Sequence, residues 1–426
     1  MADKNTEMKL SYITELGIKN VRHLKNIDIP LGSSTDRGLK HLMLTGKNGS
    51  GKTSVLDAVA RYLDMICRDK TYFSYLHNLD THKKNLEILK RSNAKQEDID
   101  YRKELVQEAE NKINEKCQGL EITFNCDPNL LQDRFEAGEF VLAYFRDNRI
   151  FDATVPKHVE KVQIKESYAI SEDPRKDFIK YLVDKKVSQS LYQTKNELDR
   201  AKALETWFDS FEALLRNIFE DPTLILDFDV DTFQFKIREK NREPFDFNSM
   251  SAGYAAILDI VVSIIMRMEA RTNGRFEFDM PGIVLIDELE THLHYELQKK
   301  VLPFLCSVFP NIQFVVSTHS AFILNSVDNA VIYDLENRTL VKNGLSEVPY
   351  EGIIKGYFDV STMSRELQEK FERYKALVGK NILSDDDLAE IARLSIALDE
   401  IPDYLSPELA AEYQRLKTEF NRREDL

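Results

Sequence analysis

Nothing in this sequence is apolar for long enough to cross a bilayer: its most apolar stretch, Ala255 to Met268, is interrupted by Asp259, Ser263 and Arg267. The start, MADKNTEMKLSYITEL, lacks the continuous apolar segment of a secretory signal. Cysteine is scarce, and Cys67, Cys117, Cys126 and Cys306 fall at no short metal-ligand spacing and form no disulfide framework. Together these absences predict a cytoplasmic protein with no membrane partner. Basic residues are outnumbered, 58 against 72, and the formal charge of -14 repels nucleic acid on average, although a local basic groove could still bind it. Internal repeats and low-complexity linkers are absent too. What remains is a globular composition, 42% hydrophobic and 31% charged over 426 residues, enough for one large or two ordinary domains.

Short apolar runs that read as buried strands lie far apart: Leu42 to Leu44, Phe140 to Tyr144, Ile283 to Ile286 and Phe314 to Val316. Between the last two, Leu293 to Phe309 carries a helical pattern, so the strands should run parallel in an α/β core. Two polar stretches interrupt that core. Near-heptad apolar residues from Lys70 to Cys117, broken at Ser92 to Lys95, predict an antiparallel helical hairpin with arms reaching roughly 35 Å at about 1.5 Å per residue. Two helices packed flat on the core would give the same pattern. Ser171 to Phe219 predicts a helical lobe, followed by strand-like alternation from Leu224 to Ile237. Beyond Pro349 the pattern is helical, over Ser364 to Val378, Ser384 to Leu398 and Ser406 to Glu419. The organisation expected is a core in three parts (1–66, 119–170, 222–345), a hairpin (67–118), a helical lobe (171–221) and a C-terminal helical region (346–426).

Glycine is as scarce as cysteine is sparse, 15 in all, yet three fall within six residues at Gly46, Gly49 and Gly51. Gly46-Lys47-Asn48-Gly49-Ser50-Gly51-Lys52-Thr53 satisfies G-x-x-x-x-G-K-[ST] between the strand-like HLML and the helical SVLDAVARYL, and Ser54 opens that helix. Such glycines let successive N–H groups and a helix N-terminus face phosphates; Lys52 would reach the β- and γ-phosphates and Thr53 a Mg²⁺ ion. A phosphate loop alone does not separate a kinase, a GTPase and a motor. Far along the chain, GIVLIDELETHLH ends an apolar run in Asp287 and Glu288, which a parallel sheet would deliver to the ligand crevice. Asp287 suits the Mg²⁺ shell, and Glu288 suits a base for the attacking water. FVVSTHS ends the next strand in His319, suited to contact the γ-phosphate or that water. FNSMSAGYAAIL sets Ser251 and Gly253 directly before a long apolar helix, whose N-terminus can receive an anion.

In this order the motifs resemble the ABC-type ATPase superfamily. The resemblance implies an α/β, P-loop core with a mixed sheet, ATP and Mg²⁺ as ligands, and composite sites. Ser251 and Gly253 match the signature motif that closes over nucleotide held by another protomer, so a head-to-tail homodimer or higher homo-oligomer follows. The signature is degenerate here, Met250-Ser-Ala-Gly-Tyr254, and the expected glutamine loop after EFVLAYF reads Arg146-Asp147-Asn148-Arg149. Asn148, or Asp147, is the candidate to replace that glutamine at the nucleotide.

Within the superfamily, ITELGIKNVRHLKNIDIPL, GKNGSGKTS, IDELETHLH and FPNIQFVVSTHS look like the soluble branch of OLD-type (overcoming lysogenization defect) ATPases and the PtuA-like ATPases of Septu and retron anti-phage defence systems. The tail GYFDVSTMSRELQEKFERYKALV is similar to the helical ends of standalone PtuA-like ATPases. A Toprim nuclease, frequent in OLD-type proteins, is not expected, because Ser384 to Asp387 is explained by the first turn of a helix. The branch implies an ATP-hydrolysing sensor or scaffold that controls a separate effector, an HNH-type nuclease for example. A RecF-like DNA clamp is the rival, but Arg68 to Lys116 holds 11 basic and 10 acidic residues and no basic stripe.

Overall fold

The computed structural model describes residues 10–32, 38–92, 94–156, 158–240, 242–272, 275–350, 352–353, 365–380, 382–399 and 407–422. The opening residues 1–9, the 356–364 part of the tail stretch, and Ser364 and Ser406 lie outside these. The chain divides into two units, residues 1–350 and 351–426.

The first unit is built on two sheets. Strands β1 (Ile13–Val21), β2 (Leu24–Pro30) and β4 (Leu120–Phe124) form an antiparallel sheet in the order β2-β1-β4. The second sheet holds β3 (His41–Thr45), β5 (Val141–Phe145), β8 (Gly282–Ile286), β9 (Ile312–Ser317), β10 (Ala330–Asp334) and β11 (Thr339–Val341). Its order is β11-β10-β3-β9-β8-β5, parallel throughout except for the β10–β11 pair. The sheet is thus mixed and mostly parallel, as the α/β reading requires. Every residue of β3, β8 and β9 is buried, which is why these strands read as unbroken apolar runs: helices or a second sheet cover both faces. The two sheets are joined through Gln313. Its fully buried amide accepts the Ile13 N–H at 2.7 Å and donates to the carbonyls of Ile13 at 3.0 Å and Lys40 at 2.7 Å.

Helix α1 (Lys52–Arg68) follows β3 and packs its apolar face, including Val55, Leu56, Val59 and Leu63, into the core shared by the two sheets. Helices α2 (Lys70–Arg91) and α3 (Gln96–Cys117) form the hairpin, linked by Lys83–Glu110 at 2.7 Å and by Arg102 on His82. A short helix α4 (Pro128–Glu136) precedes β5. The lobe consists of α5 (Phe178–Thr194) and α6 (Leu198–Phe219), followed by the antiparallel pair β6 (Ile225–Asp229) and β7 (Gln234–Arg238). Fully buried Trp207, Phe178, Phe211 and Phe247 pack ring on ring within it. Helix α7 (Ala252–Thr272) carries buried Asp259, Arg267 and Glu269. Asp259 pairs with Arg175, and Glu269 with Lys185 at 2.8 Å, so α7 is fastened to the lobe by buried charges. Helices α8 (Tyr295–Val308) and α9 (Ala321–Leu324) complete the unit.

The second unit contains α10 (Arg365–Val378), α11 (Asp385–Asp399) and α12 (Pro407–Asn421). They close on a core of their own around Tyr374, Leu377, Ile391, Leu398 and Tyr413. Among the described residues no helix is long and apolar enough to cross a membrane.

Candidate functional site

The site lies where β3, β8 and β9 end side by side, a consequence of their parallel pairing. From β3 the chain enters residues 46–51. Gly46 (φ 128°) and Gly51 (φ 103°) hold left-handed backbone, and a Cβ would meet Ser50 Oγ at 2.8 Å in the first case and Leu24 Cδ1 at 2.9 Å in the second. Only glycine meets both demands. Lys47, Asn48 and Gly49 face solvent, and nothing lies within 4 Å of a Cβ built on Gly49. The β1–β2 turn lies against the loop, with His23 Nε2 at 3.2 Å from the Ser50 carbonyl oxygen.

Helix α1 begins at this loop, and its N-cap residue, Gly51, has no side chain with which to cap it. The first-turn N–H groups of Lys52, Thr53 and Ser54 therefore lack the usual side-chain acceptor, the condition under which a helix N-terminus receives an anion. Among the described residues the buried Ser50 hydroxyl has no partner. Lys52 is 6% exposed, and its Nζ donates to the carbonyls of Gly46 at 2.8 Å and Lys47 at 3.2 Å. Burial lowers its pKa, against the opposing pull of Glu288, Glu290, Asp287 and Asp334. Glu336, from the β10–β11 turn, accepts the Lys47 N–H at 3.1 Å and pairs with its ammonium at 3.0 Å.

Across the crevice, one hydroxyl organises the two acids. Ser317 Oγ donates to Asp287 Oδ1 at 2.5 Å and accepts the Glu288 N–H at 2.7 Å. Asp287 is buried, and among the described residues its Oδ2 has no hydrogen-bond partner. Glu288 is half-buried with φ at 47°, and the Thr291 hydroxyl reaches its Oε2 at 3.3 Å. His319 follows β9, and its buried Nε2 has no partner among the described residues. Burial, then the charge of Lys52, lowers its pKa, so the ring is neutral at neutral pH.

Lys52, Asp287, Glu288 and His319 are thus brought within one electrostatic neighbourhood. Thr53 is exposed at the start of α1. Ser251 and Gly253 open α7, where the Ser251 carbonyl accepts from Ala255 at 3.0 Å. The atoms nearest a Cβ on Gly253 are the His292 carbonyl at 3.1 Å and Leu297 Cδ1 at 3.3 Å, from the segment after Glu288. Among the described residues no hydrogen bond joins Ser251 or Gly253 to the phosphate loop of the same chain. Asp147 and Asn148 are exposed, whereas the next residue, Arg149, is buried and donates to main-chain carbonyls of both acids. Arg149, Glu290, Ser317 and Glu336 are the site residues that motif reading passes over. Glu290 lies in IDELETHLH, Ser317 in FVVSTHS and Arg149 directly after Asn148, so three of the four stand beside motif residues, whereas Glu336 has no such signal.

Residues 42–325 match the family described as "AAA domain, putative AbiEii toxin, Type IV TA system". The Septu protein PtuA of Bacillus mycoides (strain KBAB4) is 24% identical over 401 residues, 91% of this chain and 50% of that protein. The protein named "Retron Ec83 probable ATPase" from Escherichia coli is 30% identical over 162 residues, 36% of this chain and 30% of its own. The chain therefore spans half the length or less of these curated relatives. The SMC head domain from Thermotoga maritima aligns with 76% of this chain and 94% of its own at 13% identity, with a TM-score of 0.34.

Proposed function

The chain belongs to the AAA-domain family matched over residues 42–325, and from that membership we propose that it binds and hydrolyses ATP as a head-to-tail homodimer whose assembly controls a separate effector in bacterial anti-phage defence. The names of the Septu and retron relatives support the defence setting. The observation that carries the ATPase reading is the buried Lys52 closing a glycine loop opposite Asp287, Glu288 and the neutral His319.

In this reading the N–H groups of Gly49 and of residues 51–54, together with the Lys52 ammonium, hold the phosphates, with Asn48 and Lys47 on the exposed rim; the Ser50 N–H is already given to the Lys47 carbonyl at 3.1 Å. The donors fit Mg²⁺: among the described residues no three acids, histidines or cysteines converge on a cage, but Asp287 offers a free oxygen and Thr53 a hydroxyl. That suits an ion which takes one or two protein oxygens and completes its shell with phosphates and water. When bound, it neutralises charge on the phosphates. Glu288 accepts a proton from the attacking water on its carboxylate, and His319 Nε2, neutral and unpartnered, donates to or accepts from the terminal phosphate region. Ser251 and Gly253 serve the site of the other protomer, and Asn148 contacts nucleotide from the loop after β5. A cytoplasmic setting and an HNH-type effector complete the proposal. The hairpin gives a DNA clamp little support. Lys83, Lys84, Arg91, Lys103 and Lys112 all pair with acids of the hairpin itself.

The test is phosphate release and mass in solution, for wild type and Glu288→Gln. Wild type should turn over ATP, and the variant should bind ATP, lose turnover and accumulate as a dimer. Hydrolysis by the variant at the wild-type rate would remove Glu288 as the base. A mass unchanged by ATP would remove the dimer.

A further inference from the structure

Arg149 is 3% exposed, and its guanidinium makes three main-chain hydrogen bonds. One terminal nitrogen donates to the Asp287 carbonyl at 2.6 Å and the Arg146 carbonyl at 3.1 Å; the other donates to the Glu288 carbonyl at 2.6 Å. The Asp287 and Glu288 carbonyls belong to the two peptide planes on either side of the Glu288 Cα. Fixing both planes fixes φ and ψ at Glu288, and with them the direction of its Cα–Cβ bond. That restraint is needed, because Glu288 sits at φ 47°, a left-handed conformation that a side chain with a Cβ rarely adopts. Ser317 secures the Glu288 N–H from the opposite side.

We infer that Arg149 is a positioning residue for Glu288: its planar fork holds the main chain of the hydrolytic carboxylate in the left-handed conformation that aims it into the crevice. The inference rests on the ATPase reading above. A lysine in its place carries one ammonium on a shorter head and does not reproduce the parallel fork. The loop that bears Arg149 is itself tied to the phosphate-loop helix, since Arg146 pairs with Asp57 of α1 at 2.8 Å. The loop that carries Arg146 and Arg149 thus connects the phosphate-binding and hydrolytic halves of the site.

The experiment compares Arg149→Lys and Arg149→Ala with wild type for ATP affinity, kcat and thermal stability, and adds millimolar guanidinium chloride to the alanine variant. Misplacing a catalytic group by a fraction of its length should lower kcat on the order of tenfold to a hundredfold. ATP affinity should stay within about threefold, because the phosphate loop is untouched. Guanidinium should restore part of kcat in Arg149→Ala, which a loss of general packing would not permit. Should the alanine variant fail to fold, the kcat-against-affinity split in the lysine variant decides. Full kcat in Arg149→Lys, or affinity and kcat falling in proportion, overturns the inference. A wild type without turnover overturns the ATPase reading itself, and the two failures are told apart by that control.

Discussion

Glu290 accepts the main-chain N–H of His319 at 2.5 Å and the hydroxyl of the fully buried Thr318 at 2.7 Å. One carboxylate from the turn after β8 therefore fixes the end of β9 and sets where the His319 ring stands. Replacing it with alanine leaves the Thr318 O–H without its acceptor, although its oxygen still accepts the Ser320 N–H at 3.0 Å, and leaves the His319 N–H unpaired, at a cost of about 1–3 kcal/mol. Glu290→Ala should lower the urea midpoint accordingly and reduce ATP turnover. Glu290→Gln, which keeps one acceptor oxygen, should be milder on both counts. Equal effects of the two variants would mean that hydrogen bonding at Glu290 is not what matters.

Lys52 separates binding from folding. Burial disfavours its charge, while two carbonyls and four carboxylates hold it in place. Removing it relieves the desolvation and forfeits those bonds, so Lys52→Ala should melt close to wild type without nucleotide. The difference should emerge with ATP. A ligand at about a hundredfold its Kd stabilises by about 2.7 kcal/mol, and this shift should vanish in the variant. Melting curves with and without ATP measure it; a retained shift would mean that the phosphates are held elsewhere.

The ion pair between Arg175 and Asp259 binds the lobe to the helix that begins with Ser251. Asp259 is 3% exposed and Arg175 19%. Arg175 also pairs with Asp173 at 2.8 Å, so it is Asp259 that depends on the pair. Removing Arg175 leaves an uncompensated buried carboxylate and costs about 3–5 kcal/mol. Arg175→Met should therefore be strongly destabilising by urea unfolding, and Asp259→Ala, which leaves Arg175 on Asp173, milder. Arg175→Met combined with Asp259→Leu should recover most of the loss. If the double substitution is worse than Arg175→Met, the pair contributes more than mutual neutralisation.

The parts of this architecture legible in the sequence are those with a local signature. HLML, IVLI and FVV read as strands because β3, β8 and β9 are buried on both faces, and the glycine pattern reads as a phosphate loop because its backbone demands glycine. The β2-β1-β4 sheet is less legible. Strand β1 mixes buried residues with exposed Glu15, Lys19 and Asn20, which dilute its apolar signal and break any regular alternation. Asp259 and Arg267 read as interruptions of an apolar run, but they are the buried partners that fix α7. Arg149, four residues beyond β5 in a charged loop, looks like a surface residue. Its partners, the carbonyls of Asp287 and Glu288, lie 138 and 139 residues away in sequence. Main-chain acceptors leave no trace in side-chain identity, so no motif could have announced them.

His41 makes the fold sensitive to acid. It begins β3 and is 2% exposed; its Nδ1 accepts the Phe314 N–H at 3.1 Å, and its Nε2 lies 3.2 Å from Cys306 Sγ. The amide bond to Nδ1 requires a neutral ring with its proton on Nε2, facing the sulfur. Burial pushes the His41 pKa down from 6.5 to about 4. In the unfolded chain the ring takes up a proton below its ordinary pKa, while in the folded protein it resists doing so until near pH 4. The stabilisation is thus fully present above pH 6.5 and is lost as pH falls from there through the folded value. At about 1.4 kcal/mol per pKa unit, the loss by pH 5 is on the order of 2 kcal/mol. His319, shifted in the same direction, adds to the slope of the whole protein, so the informative quantity is a difference between variants. Urea unfolding of wild type and His41→Gln at pH 7.5, 6 and 5 should give a steeper fall for wild type, because glutamine can accept the Phe314 N–H and does not titrate. Parallel slopes for the two proteins would show that the acid sensitivity arises elsewhere.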